Sequence, residues 1–252
     1  MSNIPKVIHY CWFGRNPLPK SAKKCIESWR KFLPDYEIKE WNEDNFDVNI
    51  TPYTTDAYKA KKYAFVSDYA RFWILYHYGG LYFDTDVEVI KPLDDIIARG
   101  PFMGIEVPSS GGSFPLVNPG LGLGVNPDLG LYKAILDYYV DLHFFGDDGV
   151  QNPGTVVTHN TNVLKQFGLK PINDIQEVAR VLIYPRDYFN PLDDATGRLV
   201  ITQNTRTIHW YAKTWVSGNN KFRLWLSRFS HRIFGVKITT TVRRKLQNVI
   251  KF

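Results

Sequence analysis

Two acids one residue apart, Asp84 and Asp86, close the run Leu81-Tyr82-Phe83-Asp84-Thr85-Asp86-Val87, which follows Gly79-Gly80. A short apolar stretch bounded by turn residues reads as a buried strand. Ligands of open α/β sheets bind beyond the carboxyl ends of the strands, so this run would deliver both carboxylates to a sheet rim. An Asp-x-Asp pair placed there suits a hard divalent cation, and the cation suits a phosphate. Other side chains are candidates for the same place. Asp68 and Arg71 are three apart and share a helix face; their apolar neighbours Val66, Ala70, Phe72 and Trp73 point to a partly buried pair. Trp12 ends the first apolar run, either as a core aromatic or as a flat surface for a base. His209 reads equally as a core histidine, a metal ligand or a phosphate donor. Asn118 lies between two glycine-rich stretches and is a side chain that can turn into a site.

Elements that would position these groups follow from the pattern. Residues 4–13 read as a first strand, 20–32 as a helix stopped by Leu33-Pro34-Asp35, and 36–41 as a second strand. That order implies a βαβ unit with a parallel pair. Residues 57–78 read as one long helix with a broad apolar face, ended by Gly79-Gly80. Residues 101–107 read as a strand, and 108–125 as a flexible loop plus a close-packed strand. Its glycines fit neither the dinucleotide fingerprint nor a P-loop. Helices at 127–144 and about 158–167 and strands at 181–185 and 206–210 complete the pattern, which is α/β.

At 252 residues, 44% hydrophobic and 15% aromatic, the chain has the material for a core and no signature of disorder. Two cysteines, Cys11 and Cys25, do not make a disulfide framework and suggest reduced thiols. No secretory h-region opens the chain and no run approaches the ~20 apolar residues of a spanning helix. The expected location is cytoplasmic.

The net charge of +6 is unevenly spread. Beyond Asp194 there is no Asp or Glu, and residues 195–252 hold twelve Lys and Arg, so that segment carries +12 and the first 194 residues −6. Residues 217–252 read as basic amphipathic helices carrying Phe222, Trp225, Phe229 and Phe234, either packed on the domain or laid on an anionic membrane. The acidic body argues against nucleic acid as a partner.

Taken together, three blocks resemble a known family: Ile4-Pro5-Lys6-Val7-Ile8-His9-Tyr10-Cys11-Trp12-Phe13-Gly14, Ser67-Asp68-Tyr69-Ala70-Arg71, and Gly79-Gly80-Leu81-Tyr82-Phe83-Asp84-Thr85-Asp86. With Ile208-His209-Trp210 and Thr214-Trp215 they resemble the DXD-containing sugar transferases of glycosyltransferase family 32, which is related to the glucosylating domain of clostridial toxins. The resemblance runs from residue 4 to about 215. It implies a GT-A, Rossmann-like α/β domain over residues 1–216, with Mn²⁺ or Mg²⁺ and a nucleotide-sugar donor, a UDP-sugar first and a GDP-sugar second. It implies retention at the anomeric carbon and transfer of a hexose to a glycan or lipid-linked oligosaccharide of a bacterial surface polysaccharide. Trp12 would stack on the base and Tyr82 would lie against the donor. Asp68, Arg71 and Asn118 would meet the donor sugar. Asp84 would touch ribose or sugar and help place the metal, and Asp86 would ligate it. His209, Thr214 and Trp215 would close over the diphosphate, with His209 or Thr214 completing the metal shell. The chain departs from the family at Asn152-Pro153-Gly154, where Thr-Gly-Pro is usual, on the acceptor side.

Two rival readings use the same residues. An apolar run ending in Asp-Thr-Asp-Val also resembles the nucleophile loop of haloacid-dehalogenase-like, Mg-dependent phosphatases, with Asp147-Asp148 as the later acidic motif. That reading leaves Asp68, Arg71 and Trp12 without a role. A non-catalytic, membrane-docked glycan-binding protein would use the basic tail and the aromatic surface alone.

Overall fold

The computed structural model describes residues 4–152 and 154–212. The chain begins as expected, with strand β1 (Val7–Cys11), helix α1 (Lys20–Phe32) and strand β2 (Glu37–Trp41), and β1 and β2 are parallel. In α1 the buried Ala22, Cys25, Ile26 and Trp29 recur at three- and four-residue steps along one stripe. The Trp29 indole is fully buried and donates to the carbonyl of Val87 at 2.7 Å, tying α1 to the far side of the Asp-x-Asp turn.

The expected long helix is two. Helix α2 (Pro52–Lys59) starts at a capping box, Thr51 with Thr54, and has Pro52 in its first turn. It ends where Lys61 adopts φ +58°, and α3 (Tyr63–Tyr78) starts afresh. Apolar periodicity runs through both helices, so the break was visible only in the backbone. Helix α3 ends at Gly79 and Gly80, at φ +62° and +98°. A Cβ on Gly80 would sit 2.6 Å from the carbonyl of Val7, and one on Gly79 2.7 Å from Pro127, so the turn presses directly onto its neighbours.

Strand β3 (Gly80–Tyr82) runs parallel to β1, with Ile8 beside Leu81 and His9 beside Tyr82. There follow β4 (Val87–Val89), α4 (Asp94–Ile97), β5 (Phe102–Val107), β6 (Leu116–Asn118), β7 (Leu123–Val125), α5 (Gly130–Val140), α6 (Val156–Gln166), β8 (Gln176–Val178), β9 (Val181–Tyr184), α7 (Arg186–Phe189) and β10 (Thr207–His209). The main sheet has the order β2-β1-β3-β7-β5-β9-β8, with β6 on β5. Strands β2, β1 and β3 are parallel, as are β5 and β9; β7 runs antiparallel to β3 and β5. The segment expected as a flexible loop with one strand thus holds two, β6 and β7. Strands β4 and β10 form a separate antiparallel pair, with His209 opposite Val87.

Both faces of the main sheet are covered. One core contains Val66, Phe72, Tyr82, Tyr132 and Tyr139, joined to α3 and α5. The other contains Trp29, Leu81, Phe83, Phe102 and Phe189, joined to α1 and α7. Leu81 and Phe83 enter one core and Tyr82 the other, the two-residue alternation of a strand. This is the α/β architecture expected. Cys11 and Cys25 are buried free thiols, and burial pushes each up to about 12. The expected tail, 217–252, lies outside the described residues, as do Thr214 and Trp215.

Candidate active site at the Asp-x-Asp turn

Strand parity decides where Asp84 goes. It shares the face of Tyr82, toward α3, and α3 presents Arg71 there. The Arg71 guanidinium is 3% exposed and holds three groups: Nη2 donates to Asp68 Oδ1 at 2.8 Å, Nη1 to Asp84 Oδ2 at 3.3 Å and Nε to the carbonyl of Ser67 at 3.0 Å. Its carbon lies 5.0 Å from the Tyr82 ring centre, and the Tyr82 hydroxyl donates to Asp84 Oδ1 at 3.2 Å. The pair read from the helix face is therefore a buried triad, Asp68–Arg71–Asp84. Burial pushes the Asp68 carboxyl up to about 7 against the pull of Arg71, with Asp84 adding to the rise. Burial opposes the Arg71 cation, but Asp84, Tyr82 and Asp68 outweigh it and hold the proton more firmly.

Past Asp84 the chain turns, Val87 N–H donating to the Asp84 carbonyl at 3.0 Å, and Asp86 points elsewhere. Asp86 Oδ1 is 3.1 Å from His209 Nε2, and Asp86 Oδ2 accepts from Ala212 N–H at 2.8 Å. The β4–β10 pairing makes this meeting across 123 positions of chain, by setting His209 opposite Val87. Burial raises the Asp86 carboxyl, but His209 and the Ala212 amide outweigh it, and the group lies below the usual carboxylate value. Burial likewise opposes a charged His209, and Asp86, Asp84 and Glu106 reverse that and raise it. His209 Nδ1 is buried with no partner among the described residues.

The remaining expected groups differ in their surroundings. Asn118 is buried, its Oδ1 accepting from Gly120 N–H at 2.6 Å and its Nδ2 donating to Glu106 Oε2 at 3.0 Å. Trp12 is half-buried beyond β1, at the same strand ends as Asp84, packed against the α1-side core with Nε1 donating to the Asn16 carbonyl. Asp147 and Asp148, the later acids of the phosphatase reading, are exposed, and Asp148 caps its own turn by accepting from Val150 N–H at 2.9 Å.

Several participants escaped the sequence reading. Gly120 is the floor under Asp84: Asp84 N–H donates to its carbonyl at 3.2 Å, and a Cβ there would overlap the carboxylate. Glu106 bridges Asn118 and Tyr211, and Asn190 donates to the Tyr211 hydroxyl at 2.7 Å. Their one sequence signal is Gly120 within the Gly-x-Gly-x-Gly run. Glu106, at the end of β5, carries none.

No group of three His, Cys, Asp or Glu among the described residues is gathered as a ready cage for a metal. The residues still fit a divalent cation. Mg²⁺ is typically held by one or two carboxylates completed by substrate phosphates and water. Asp86 and His209 would supply an oxygen and a nitrogen ligand, His209 keeps a buried Nδ1 without a partner among the described residues, and Asp84 stands two residues away.

Residues 19–103 match the family described as the glycosyltransferase sugar-binding region containing the DXD motif. Inositol phosphoceramide mannosyltransferase 1 of Schizosaccharomyces pombe is 30% identical over 114 residues, which are 41% of this chain and 34% of that protein. A mannosyl phosphorylinositol ceramide synthase of Saccharomyces cerevisiae is 32% identical over 108 residues, 40% of this chain and 27% of that one. The chain thus spans about a third of the length of these curated relatives. Among solved structures, the PaToxG glycosyltransferase superposes with a TM-score of 0.48 at 19% identity, covering 66% of this chain and 70% of that chain. The matched stretch contains Asp68, Arg71, Tyr82 and Asp84, which meet in the structure, and Asp86 two residues on. Over residues 19–103 the chain is thus similar to the glycosyltransferase sugar-binding region that contains the DXD motif.

Proposed function

We propose that the protein is a metal-dependent, retaining glycosyltransferase of GT-A type, moving a hexose from a nucleotide-sugar to a hydroxyl of a glycan or lipid-linked acceptor. The observation that carries the reading is that the buried triad Asp68–Arg71–Asp84 and the acid Asp86, all within the matched region, stand at one strand end, where His209 reaches Asp86 from outside that region. The names of the relatives, mannosyltransferases acting on inositol phosphoceramide, favour mannose as the hexose and a lipid-linked acceptor. A UDP-sugar is the first donor to try and a GDP-sugar the second. The bacterial surface-polysaccharide setting rests on the sequence resemblance alone.

The chemistry follows from the leaving group. Charge builds on the β-phosphate as the anomeric bond breaks, so fixed positive charge and donors facing it do most to lower the barrier. A divalent cation held by Asp86, His209 and Asp84 would supply Lewis-acid stabilisation of the diphosphate. Arg71, locked between two carboxylates, keeps Asp84 and Asp68 in place without reorganisation. Asp68, with one oxygen held by Arg71, is the carboxylate assigned to steady the oxocarbenium-like carbon. The acceptor hydroxyl then attacks on the face the diphosphate leaves, and its proton passes to the departing phosphate. Trp12 is assigned to the base.

The test is a thermal-shift and titration panel of UDP-, GDP- and dTDP-sugars with and without Mn²⁺, on wild type and Asp86→Ala. A ligand at 100 times its Kd stabilises by about 2.7 kcal/mol. A metal-dependent shift with one donor, lost in Asp86→Ala, is expected; no shift with any donor would overturn the reading. The tail, with its excess of Lys and Arg, is assigned to an anionic membrane surface at the inner face of the cytoplasmic membrane. Removing residues 217–252 should lower binding to anionic vesicles and spare donor hydrolysis. Equal vesicle binding would reject that role.

A further inference from the structure

Residues 209–212 reach the Asp-x-Asp turn from the other end of the chain, and something must hold them there. Asp86 holds one side: its carbonyl accepts from Trp210 N–H at 2.9 Å and its Oδ2 from Ala212 N–H at 2.8 Å. Between these two amides sits Tyr211, at φ +50°, a backbone region that a bulky residue keeps only where its surroundings over-determine it. The surroundings are visible. The Tyr211 hydroxyl accepts from Asn190 Nδ2 at 2.7 Å, which directs its own proton to Glu106 Oε1 at 3.0 Å. Glu106 Oε2 accepts from Asn118, Asn118 Oδ1 from Gly120 N–H, and the Gly120 carbonyl from Asp84 N–H. The Tyr211 ring also lies 4.2 Å from the His209 ring, centre to centre. The hydrogen bonds run from Asp84 through Gly120, Asn118 and Glu106 to Tyr211, and the backbone amides on either side of Tyr211 complete the loop to Asp86.

We infer that Glu106 and Tyr211 are positioning residues: their hydrogen bond latches residues 209–212 over the Asp-x-Asp turn and holds His209 and Asp86 together for the metal and diphosphate. The polarity of the loop supports this. Each link runs donor to acceptor without a mismatch, and the carboxylate of Glu106 is the one member that accepts from both sides. The turn is held less from its own strand, because β3 ends at Tyr82 and the last bond to a main-sheet strand there is from Phe83 N–H to the His9 carbonyl at 3.3 Å, ahead of Asp84.

The inference rests on reading the turn as the donor site, so the experiment has one arm that does not. Tyr211→Phe removes a single oxygen and keeps the ring on His209. Glu106→Gln keeps the shape and sets an N–H against one of two donors. The first arm is amide hydrogen exchange without ligand. In both variants exchange at Trp210 and Ala212 should rise at least tenfold while the β1–β3 core stays as protected as in wild type. The second arm is affinity for UDP and for GDP in the presence of Mn²⁺, which should fall at least fivefold in each variant, and no further in the double variant. Wild-type exchange at both amides in both variants would overturn the latch. Faster exchange with unchanged affinity, in a wild type that binds, would overturn the positioning role alone. A wild type that binds neither diphosphate would overturn the donor-site reading and the positioning role with it.

Discussion

Gly120→Ala should disable the site through Asp84 alone. The added methyl would lie 2.9 Å from Asp84 Cγ and 3.1 Å from Arg71 Nη1, and nearer still to the carboxylate oxygen that faces Arg71. Carbon atoms settle at about 3.5–4.0 Å, so the Asp84 carboxylate must retreat by roughly 1 Å. That retreat breaks the 3.3 Å bond from Arg71 and strains the 3.2 Å bond from Tyr82. A hydrogen bond to a charged group contributes about 1.5–3 kcal/mol. The Asp84 side chain keeps 28% exposure, so water returns part of it. The expected loss of stability is therefore about 1–2 kcal/mol, a Tm lower by about 2–8 °C for a chain of this size. The loss of function should be larger, because preorganised electrostatic groups are lost from where charge develops; removing one such group typically lowers turnover by about 10²–10³. The assay is nucleoside diphosphate release with the donor identified by the binding panel, at saturating Mn²⁺, alongside Asp84→Ala and the double variant. The double should be no worse than Asp84→Ala, since both changes act on one carboxylate. Turnover within threefold of wild type in Gly120→Ala, or losses that multiply in the double, would refute the reasoning.

Three further outcomes are expected. His9 is buried with Nε2–H donating to the Gly79 carbonyl at 3.0 Å and Nδ1 accepting from the Trp41 indole at 3.0 Å, and burial lowers its pKa to about 4. The folded value lies below the unfolded one, so the unfolded chain binds the extra proton between pH 6.5 and 4. This contribution to stability is complete above pH 6.5 and falls by about 3 kcal/mol as pH drops to 4, a slope that urea midpoints should show in wild type and lose in His9→Gln. Arg71→Met leaves Asp68 and Asp84 facing each other without a cation and should cost about 3–5 kcal/mol by urea unfolding; a loss under 1 kcal/mol would mean the triad is not a buried unit. Thr51→Ala removes the N-cap of α2, whose side chain accepts from Thr54 N–H at 3.1 Å, and should cost about 0.5–2 kcal/mol with donor affinity unchanged.

What was legible in the sequence was what repeats or what is local. The stripe of α1, the parallel β1–β2 pair and the Gly79-Gly80 stop all follow from periodicity and turn chemistry over a dozen residues, and all are present. Asp68 and Arg71 could be paired because helix spacing is fixed, and their burial could be argued from apolar neighbours in the same turn. The division of 57–78 into α2 and α3 was not legible. Lys61 is not a residue that announces a left-handed backbone, and the apolar pattern continues across it. Strands β6 and β7 were hidden for another reason. Three-residue strands carry too few side chains for alternation to show, and their place is decided by their partners, β5 for β6 and β3 and β5 for β7.

The two aspartates of the Asp-x-Asp turn show most clearly where local reasoning stops. Spacing puts both on one sheet rim beside one metal, with contact to ribose or sugar added for Asp84 alone. The structure gives them different neighbours because β3 has ended at Tyr82 and the chain turns from Asp84 onward. Asp84 keeps the parity of Tyr82 and is governed by α3, through Arg71. Asp86 has left the sheet and is governed by β10, through His209 and Ala212. The first relation spans 13 positions and could be reached by counting; the second spans 123 and needs the β4–β10 pair: residues 206–210 read as a strand, but nothing in the sequence names Val87–Val89 as its partner. Loss of Asp84 should therefore disturb the buried triad, whereas loss of Asp86 should free residues 209–212. Hydrogen exchange on Asp84→Ala and Asp86→Ala separates the two: protection at Ala212 should fall in the second and persist in the first. The same fall in both would show that the turn acts as one undivided unit.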